Sequence, residues 1–183
     1  MAQDGPVRAM RATRGDLPVG AGWAYEMCWA GTRLLLDVTA DGVRAEADGR
    51  DVTDVHADRL DALSDLPDAV VDGVLVEAAQ LPGGFVVVDL LRLYGVELTA
   101  RTYWERRRSL DRLAEARPDL AVSPAFDDGP ATVHAAQANR LPGVLAKRWD
   151  SVYRPGGPSP EWVEYRFPSE RDAMMLSMTG GPR

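Results

Sequence analysis

The chain has 183 residues and a formal net charge of −7, with 45% hydrophobic and 27% charged residues. This length suffices for one domain with a hydrophobic core, and the lack of a membrane-length apolar run or a signal-peptide core predicts a cytoplasmic protein without a membrane partner. The acidic balance disfavours simple nucleic-acid binding, and a single cysteine excludes an internal disulfide or a multi-cysteine metal site.

The first third of the chain predicts an arm, several strands and one helix. Residues 1–17 are polar and contain glycine, which is typical of a flexible N-terminal arm. Two apolar-rich runs over 23–38 flank a Gly-Thr-Arg turn and predict a β-hairpin that presents Cys28 near its bend. Asp-Gly pairs bracket a short hairpin strand within 41–53. Leucines spaced by three residues over 58–66 predict a helix.

The rest of the chain predicts four strands, two helices and a tail. The strands are expected over 69–78, 84–95, 142–149 and 161–167, where β-branched and aromatic residues are concentrated. The clearest helix covers 99–116, and a shorter one covers 132–141. Residues 168–183 are polar and contain glycine and proline, as expected of a C-terminal tail. Strands separated by turns, with helices inserted irregularly, predict an α+β fold with mainly antiparallel sheets flanked by helices.

Common nucleotide and metal signatures are missing from the sequence. A strand followed by a Gly-rich loop and a helix does not occur, which excludes a P-loop and a dinucleotide-binding fingerprint. His56 and His134 are far apart and lack neighbours at metal-ligand spacing. The sequence therefore predicts no metal site.

Several short motifs follow one another between residues 17 and 167. They are "GWAYEMCWAGTRLLL", "DGRDVT", "VDGVLVEA", "FVVVDLL", "RTYWERRRSLDRL" and "PGVLAKRWDSVYRPGGPSPEWVEYRF". Their order resembles the adenylation domain of ATP-dependent DNA ligases, which belongs to the covalent nucleotidyltransferase group. In that family the first motif is Glu-x-Lys-x-Asp-Gly-x-Arg and the last segment contains Glu-Gly-Val-Val-x-Lys and Trp-x-Lys-x-Lys. The resemblance implies a ligase-adenylation-like domain over 18–167.

The resemblance also implies which residues face a ligand. In the family a lysine attacks the α-phosphate of ATP, and the AMP then passes to a DNA 5′-phosphate, while carboxylates hold the metal and basic side chains hold phosphates. ATP and Mg²⁺ are implied as cofactors by the resemblance alone, and nucleotides or DNA ends as partners. The matching nucleotide-pocket candidates are Glu26, Met27, Cys28, Gly31, Arg33, Asp89, Gly143 and Lys147. The nucleic-acid candidates are Arg106, Arg107, Arg148 and Arg154.

The positions that carry the family's chemistry are largely replaced. Cys28 stands where the nucleophilic lysine is expected, and Val74 and Pro142 stand where two metal-associated carboxylates are expected. The two lysines of the final motif are Glu164 and Arg166 here. The glycines, Trp162 and the apolar strand residues, which determine backbone shape, remain. This division predicts a degenerate copy that keeps the fold and has neither a catalytic residue nor a metal site.

Three interpretations remain open. The first is a catalytically silent binding or regulatory module. The second is an active nucleotidyltransferase that uses Lys147, the single lysine of the chain, because arginine provides no free base at neutral pH. Too few residues follow Phe167 to form the OB-fold that family ligases append, so this second interpretation calls for a partner protein that supplies one. The third is a pure protein-interaction domain.

Overall fold

The fold is known from a computed structural model that describes residues 8–60, 63–76 and 84–168. Its helices are α1 (Thr53–Leu60), α2 (Tyr103–Ala116) and α3 (Gly129–Ala138). Its strands are β1 (Arg11–Arg14), β2 (Trp23–Met27), β3 (Gly31–Thr39), β4 (Gly42–Ala47), β5 (Arg50–Asp51), β6 (Ala69–Val76), β7 (Phe85–Leu93), β8 (Val96–Glu97), β9 (Ala125–Phe126), β10 (Gly143–Arg148) and β11 (Pro158–Arg166). The predicted α+β class is confirmed.

The strands form two sheets. The first sheet has the order β1-β11-β10-β2-β9, and the second has the order β5-β4-β3-β6-β7-β8. All pairs of neighbouring strands are antiparallel except β1 and β11, which are parallel. The mainly antiparallel arrangement predicted from the sequence is therefore also confirmed.

Alternation along the strands arranges the two sheets and the helices in layers. On β3, Leu34 and Leu36 belong to a core cluster with the leucines of α1 and α2, whereas Leu35 packs with Trp162 of the first sheet. Successive side chains of a strand point to opposite faces, so the second sheet is covered by helices on one face and by the first sheet on the other. A third cluster packs α3 against the outer face of the first sheet through Ala136. Both faces of the second sheet are thus buried, which explains the continuous apolar runs of β6 and β7.

Two of the sequence predictions about the first third of the chain are wrong. The runs over 23–38 do form strands, but β2 and β3 lie in different sheets and do not pair as a hairpin. Residues 28–30 instead cross from one sheet to the other. The helix predicted over 58–66 overlaps α1, Thr53–Leu60, but residues 63–66 are not α-helical, and residues 61–62 lie outside the described residues. The leucines that suggested it are nonetheless buried in the core.

The N-terminal segment also differs from its prediction as a flexible arm over 1–17. Arg11–Arg14 forms β1, which pairs with β11, and Met10 is fully buried. The backbone N–H of Met10 donates a hydrogen bond to the Tyr153 hydroxyl at 2.9 Å. The polar composition hid this strand because β1 is an edge strand whose residues are mostly exposed; of residues 8–17, Met10 is the one that is fully buried. The predicted C-terminal tail lies outside the described residues from residue 169 onwards.

Helix α2 agrees closely with the sequence prediction. The hydroxyl of Thr102 accepts a hydrogen bond from the backbone N–H of Glu105, and the Glu105 carboxylate accepts one from the backbone N–H of Thr102. This reciprocal capping box satisfies donors that a helix start otherwise leaves unpaired. The helix directs Tyr103, Leu110 and Leu113 into the interior, as predicted, and also Arg106.

Candidate functional site in the cleft between the sheets

The candidate site lies where the facing surfaces of the two sheets meet. Glu26 on β2 and Lys147 on β10 come from the first sheet, whereas Asp72 on β6 and Asp89 on β7 are cross-strand neighbours in the second. All four side chains are buried. The Lys147 ammonium donates a hydrogen bond to the backbone carbonyl of Val88 at 2.8 Å, next to Asp89, so the two sides of the site are in direct contact.

Lys147 is held in an ion pair inside the protein. Its Nζ lies 2.7 Å from Oε1 of Glu26, and both side chains are at most 1% exposed. The hydroxyl of Tyr103 also donates a hydrogen bond to this carboxylate oxygen. The ammonium lies 4.5 Å from the ring centroid of Trp162 and 4.8 Å from that of Tyr103, at distances typical of cation–π contacts. The single lysine is therefore surrounded by partners from its own chain.

Asp72 is held by a guanidinium and a phenol. Arg33 donates hydrogen bonds from Nε at 2.9 Å and Nη2 at 2.6 Å, one to each carboxylate oxygen. Tyr153 donates a third from its hydroxyl at 2.7 Å. Burial alone would lower the pKa of Arg33, but the Asp72 charge holds that pKa above its ordinary value. The Arg33 guanidinium thus stays charged throughout the neutral range.

Asp89 is paired in the same way with a residue of α2. Arg106 donates from Nε and Nη2 to the two carboxylate oxygens at 2.9 Å each, and its side chain is fully buried. The remaining nitrogen, Nη1, donates to the backbone carbonyls of Arg101 at 2.7 Å and Ser151 at 3.2 Å. All three guanidinium nitrogens therefore have partners, which compensates for the cost of burying the charge.

Cys28 lies at the edge of this cluster with its thiol protected. Its backbone N–H donates to the Gly143 carbonyl at 3.0 Å, and the residue is 9% exposed. Burial, followed by the negative charge of Glu164, raises the pKa of the thiol to about 12. The thiol is consequently protonated at neutral pH and is a poor nucleophile, since the thiolate is the reactive form.

Two buried polar atoms within the cluster lack a hydrogen-bond partner. They are Oε2 of Glu26 and Nε1 of Trp162. Both atoms belong to side chains that contact the Lys147 ammonium, Glu26 through its other carboxylate oxygen and Trp162 through its ring. The carboxylate oxygen of Glu26 would repel an anion such as a phosphate. The N–H of Trp162 could donate to an anion, but it is a single uncharged donor.

The remaining pocket candidates set backbone geometry. A Cβ added to Gly31 would lie 2.1 Å from the Leu75 carbonyl oxygen, and one added to Gly143 would lie 2.2 Å from that of Tyr165. Both glycines thus permit a close approach of strands.

Met27 packs on the opposite face of the first sheet, with the cluster that contacts α3. The structure therefore brings together Glu26, Cys28, Arg33, Asp89 and Lys147, and places Met27 elsewhere.

The four nucleic-acid candidates do not form one surface. Arg106 is buried, and Arg107 is turned inward to Asp111 at 2.7 Å and to the Ser123 carbonyl. Arg148 and Arg154 are exposed, at 43% and 61%, but each already contacts a carboxylate of its own chain, Asp150 and Glu161 respectively. The prediction that these arginines jointly contact phosphates is wrong for Arg106, because a phosphate cannot reach it.

Sequence reasoning missed the partners that neutralise the site. Arg106 was assigned to the surface, and neither Tyr103 nor Tyr153 was expected to bond a carboxylate. One signal was present, because Arg106 lies three residues after Tyr103 and four before Leu110, on the apolar face of α2. An arginine in such a position requires a buried acid.

Two kinds of feature are absent from the described residues. No group of three or more His, Cys, Asp or Glu side chains within 8–60, 63–76 and 84–168 is placed to hold a metal ion. No helix of this part of the chain has the length and apolar character needed to cross a membrane.

Comparison with known proteins reveals clear relatives. No protein-family model matches the chain. The multifunctional non-homologous end joining protein LigD of Mycobacterium bovis is 30% identical over an alignment of 182 residues. The alignment covers 90% of this chain and 23% of LigD. This chain thus spans about a quarter of the length of its curated relative.

Solved structures show the same relationship. The ligase domain of LigD from M. tuberculosis superimposes with a TM-score of 0.78 at 31% identity, covering 87% of this chain and 59% of that domain. A mycobacterial DNA ligase D complexed with ATP and MES has a TM-score of 0.79 at 31% identity, covering 89% and 61%. The resemblance inferred from the motifs is confirmed. The chain is homologous to the ligase domain of LigD and has the fold of the adenylation domain of ATP-dependent DNA ligases.

Proposed function

We propose that this chain is a catalytically silent relative of a ligase adenylation domain and acts as a non-catalytic binding or regulatory module. The observation that carries the proposal is the buried Lys147–Glu26 ion pair, because Lys147 is the single lysine and the family's chemistry requires a free amine. An ammonium locked to a carboxylate and a carbonyl has no unshared electron pair with which to attack phosphorus.

A magnesium ion does not fit the cleft. Mg²⁺ needs oxygen ligands in octahedral geometry, usually one or two carboxylates with water. Asp72 and Asp89 are each held at both oxygens by a guanidinium, and one Glu26 oxygen is held by Lys147. Binding a metal would therefore require breaking a buried ion pair.

ATP fits poorly for a related reason. Triphosphate binding uses basic groups that are free to turn toward the ligand, whereas the cationic groups of the cleft, Arg33, Arg106 and Lys147, are already paired with acids. The unpartnered Oε2 of Glu26 adds local negative charge. We expect weak or absent ATP affinity.

A labelling experiment tests the proposal. The purified chain is incubated with radiolabelled ATP and Mg²⁺ or Mn²⁺, and the products are separated on a denaturing gel beside a mycobacterial LigD ligase domain as a positive control. We expect no covalent label on this chain. A labelled band that disappears in Lys147→Arg, which keeps the buried charge but offers no nucleophile, would establish an active nucleotidyltransferase instead.

Calorimetry separates the remaining possibilities. Titration of the folded chain with Mg–ATP should give no binding heat if the cleft is closed by its own side chains. Saturable heat without a covalent label would make the nucleotide the ligand of the silent module. The catalytic conclusion and the identity of the ligand are in this way tested independently.

A further inference from the structure

The outer face of α2 combines arginines with an exposed tryptophan. Three exposed residues of α2, Trp104, Arg108 and Arg112, follow one another at intervals of four, and Arg101 is exposed just before the N-cap; we call these four residues the basic face of α2. The spacing of four places the three helical residues on one side of the helix. The buried residues Tyr103, Leu110 and Leu113 occupy the opposite side. The basic face is thus separate from the cleft.

Trp104 and Arg108 are arranged as a preformed pair. The Arg108 guanidinium lies 4.6 Å from the centroid of the Trp104 ring, a cation–π contact, and Trp104 is 48% exposed. Exposed tryptophan is uncommon on a monomer surface, and Trp and Arg are the residues most enriched among those that dominate protein–protein binding energy. Because the stacking fixes the guanidinium plane, less conformational entropy is lost when a partner carboxylate binds to it.

The charges of this face are only partly compensated within the chain. Arg101 lies 3.6 Å from Glu105, but Arg108 and Arg112 make no ion pair with any described residue. The neighbouring acids of the helix are Glu105, Asp111 and Glu115. Glu105 lies near Arg101 and Asp111 is held by Arg107, whereas Glu115 is exposed. A local excess of positive charge therefore stands out from a chain whose net charge is −7.

We propose that the basic face of α2 binds an acidic polypeptide segment that carries an apolar side chain for Trp104. Carboxylates match in geometry and charge the guanidinium forks of Arg108 and Arg112, which form no ion pair with the described residues. A nucleic acid is disfavoured, because its phosphates continue beyond the two arginines and would meet Glu105, Glu115 and the acidic remainder of the chain, whereas a short segment needs carboxylates only opposite Arg108 and Arg112. The inference goes beyond the proposed function and does not depend on the state of the cleft.

The test uses the full chain and defined probes. A fluorescently labelled peptide of four Glu-Glu-Leu repeats, its Gln-Gln-Leu counterpart and an oligothymidylate of similar length are titrated by fluorescence anisotropy at two salt concentrations. We expect the acidic peptide to bind, the neutral one to bind at least about tenfold more weakly, and added salt to weaken the acidic complex.

Variants locate the binding face. Trp104→Ala and the double variant Arg108→Ala with Arg112→Ala should each lower affinity for the acidic peptide about tenfold or more. The double variant Arg11→Ala with Arg50→Ala removes the same charge from exposed positions on two edge strands and should leave affinity unchanged. Circular dichroism confirms that every variant is folded.

Four outcomes would overturn the inference. They are no binding of the acidic peptide, equal binding of the neutral peptide, equal loss of affinity in the edge-strand control, and tighter binding of the oligothymidylate that the α2 variants abolish. Sedimentation of the unlabelled chain adds a fifth, since self-association lost in Trp104→Ala would assign the face to a second copy. None of these results depends on ATP labelling, so this inference and the proposed function can fail separately.

Discussion

At the level of single residues, the cleft owes its character to charges that are buried and paired. Moving an ammonium or carboxylate out of water costs several kcal/mol, and only a close partner with further hydrogen bonds offsets this. Lys147 has such partners in Glu26 and the Val88 carbonyl. Removing one member of the pair should therefore be more harmful than removing both.

Substitution of Lys147 should show this asymmetry. Lys147→Met leaves the Glu26 carboxylate buried without its cation and should lower the free energy of unfolding by about 3–5 kcal/mol. Adding Glu26→Gln removes the charge but keeps an acceptor for the Tyr103 hydroxyl, so the double variant should recover part of the loss. Urea unfolding measures both values. A double variant no more stable than Lys147→Met would show that the two side chains are not energetically coupled.

The thiol of Cys28 should be inert in the folded chain. Burial raises its pKa to about 12, and iodoacetamide reacts with thiolate only. At pH 8 we expect alkylation to be slow in the native protein and fast after unfolding in urea, as followed by mass spectrometry. Rapid native alkylation would indicate an accessible thiolate and would reopen a chemical role for this residue.

Arg106 illustrates how far the candidate site can be predicted from sequence. The motifs predicted Glu26, Asp89 and Lys147 as members of one pocket, and the structure places the three residues close together between the sheets. They could not indicate that Arg106 neutralises Asp89, since the two residues are on different elements and meet only when α2 packs on β7. Clustered arginines suggested phosphate contacts, and the apolar neighbours on the helix were the overlooked evidence.

At the level of elements, predictions succeeded where the determining forces are local. The β-branched runs of β6 and β7 and the capped, amphipathic α2 carry their signals within about ten residues. The pairing of β2 failed because partner choice is decided by long-range packing. A Gly-Thr-Arg sequence resembles a hairpin turn, yet here Gly31 begins a strand of the other sheet.

The close approach of β10 and β11 provides an element-scale test. A Cβ on Gly143 would lie 2.2 Å from the Tyr165 carbonyl oxygen, so Gly143→Ala must push the strands apart. We expect a loss of about 1–3 kcal/mol in unfolding free energy, the range found for overpacked interiors. Gly157→Ala is the matched control, because nothing lies within 4 Å of its added Cβ. Equal effects of the two substitutions would contradict the register of these strands.

At the level of the whole molecule, two sheets are joined through polar groups as well as an apolar cluster. Tyr103 bridges α2 to Glu26 in the first sheet, and Tyr153 bridges Met10 to Asp72 in the second. Burial, followed by the charge of the adjacent carboxylate, raises the pKa of each phenol well above its ordinary value. The association of the sheets therefore depends on both phenols remaining protonated.

Stability should accordingly fall at alkaline pH. Each phenol has a folded-state pKa above its unfolded value of about 10, so its contribution is complete below about pH 10 and is lost as the pH rises through the folded-state pKa. Urea unfolding between about pH 8 and 11 should show this decline. The double variant Tyr103→Phe with Tyr153→Phe should flatten it, and Tyr94→Phe, at an exposed hairpin turn, should not. A decline that persists in the double variant would assign it to other groups.

The burial of the single lysine has a practical consequence. Reagents that acylate side-chain amines have one target in this chain, and they can reach it only when the first and second sheets move apart. The rate at which mass accumulates on that amine is therefore a measure of how often the interface opens. A partner or ligand that holds the two sheets together should slow this acylation in proportion to its effect on their opening. The acylation rate of the single lysine therefore reports on binding to the protein.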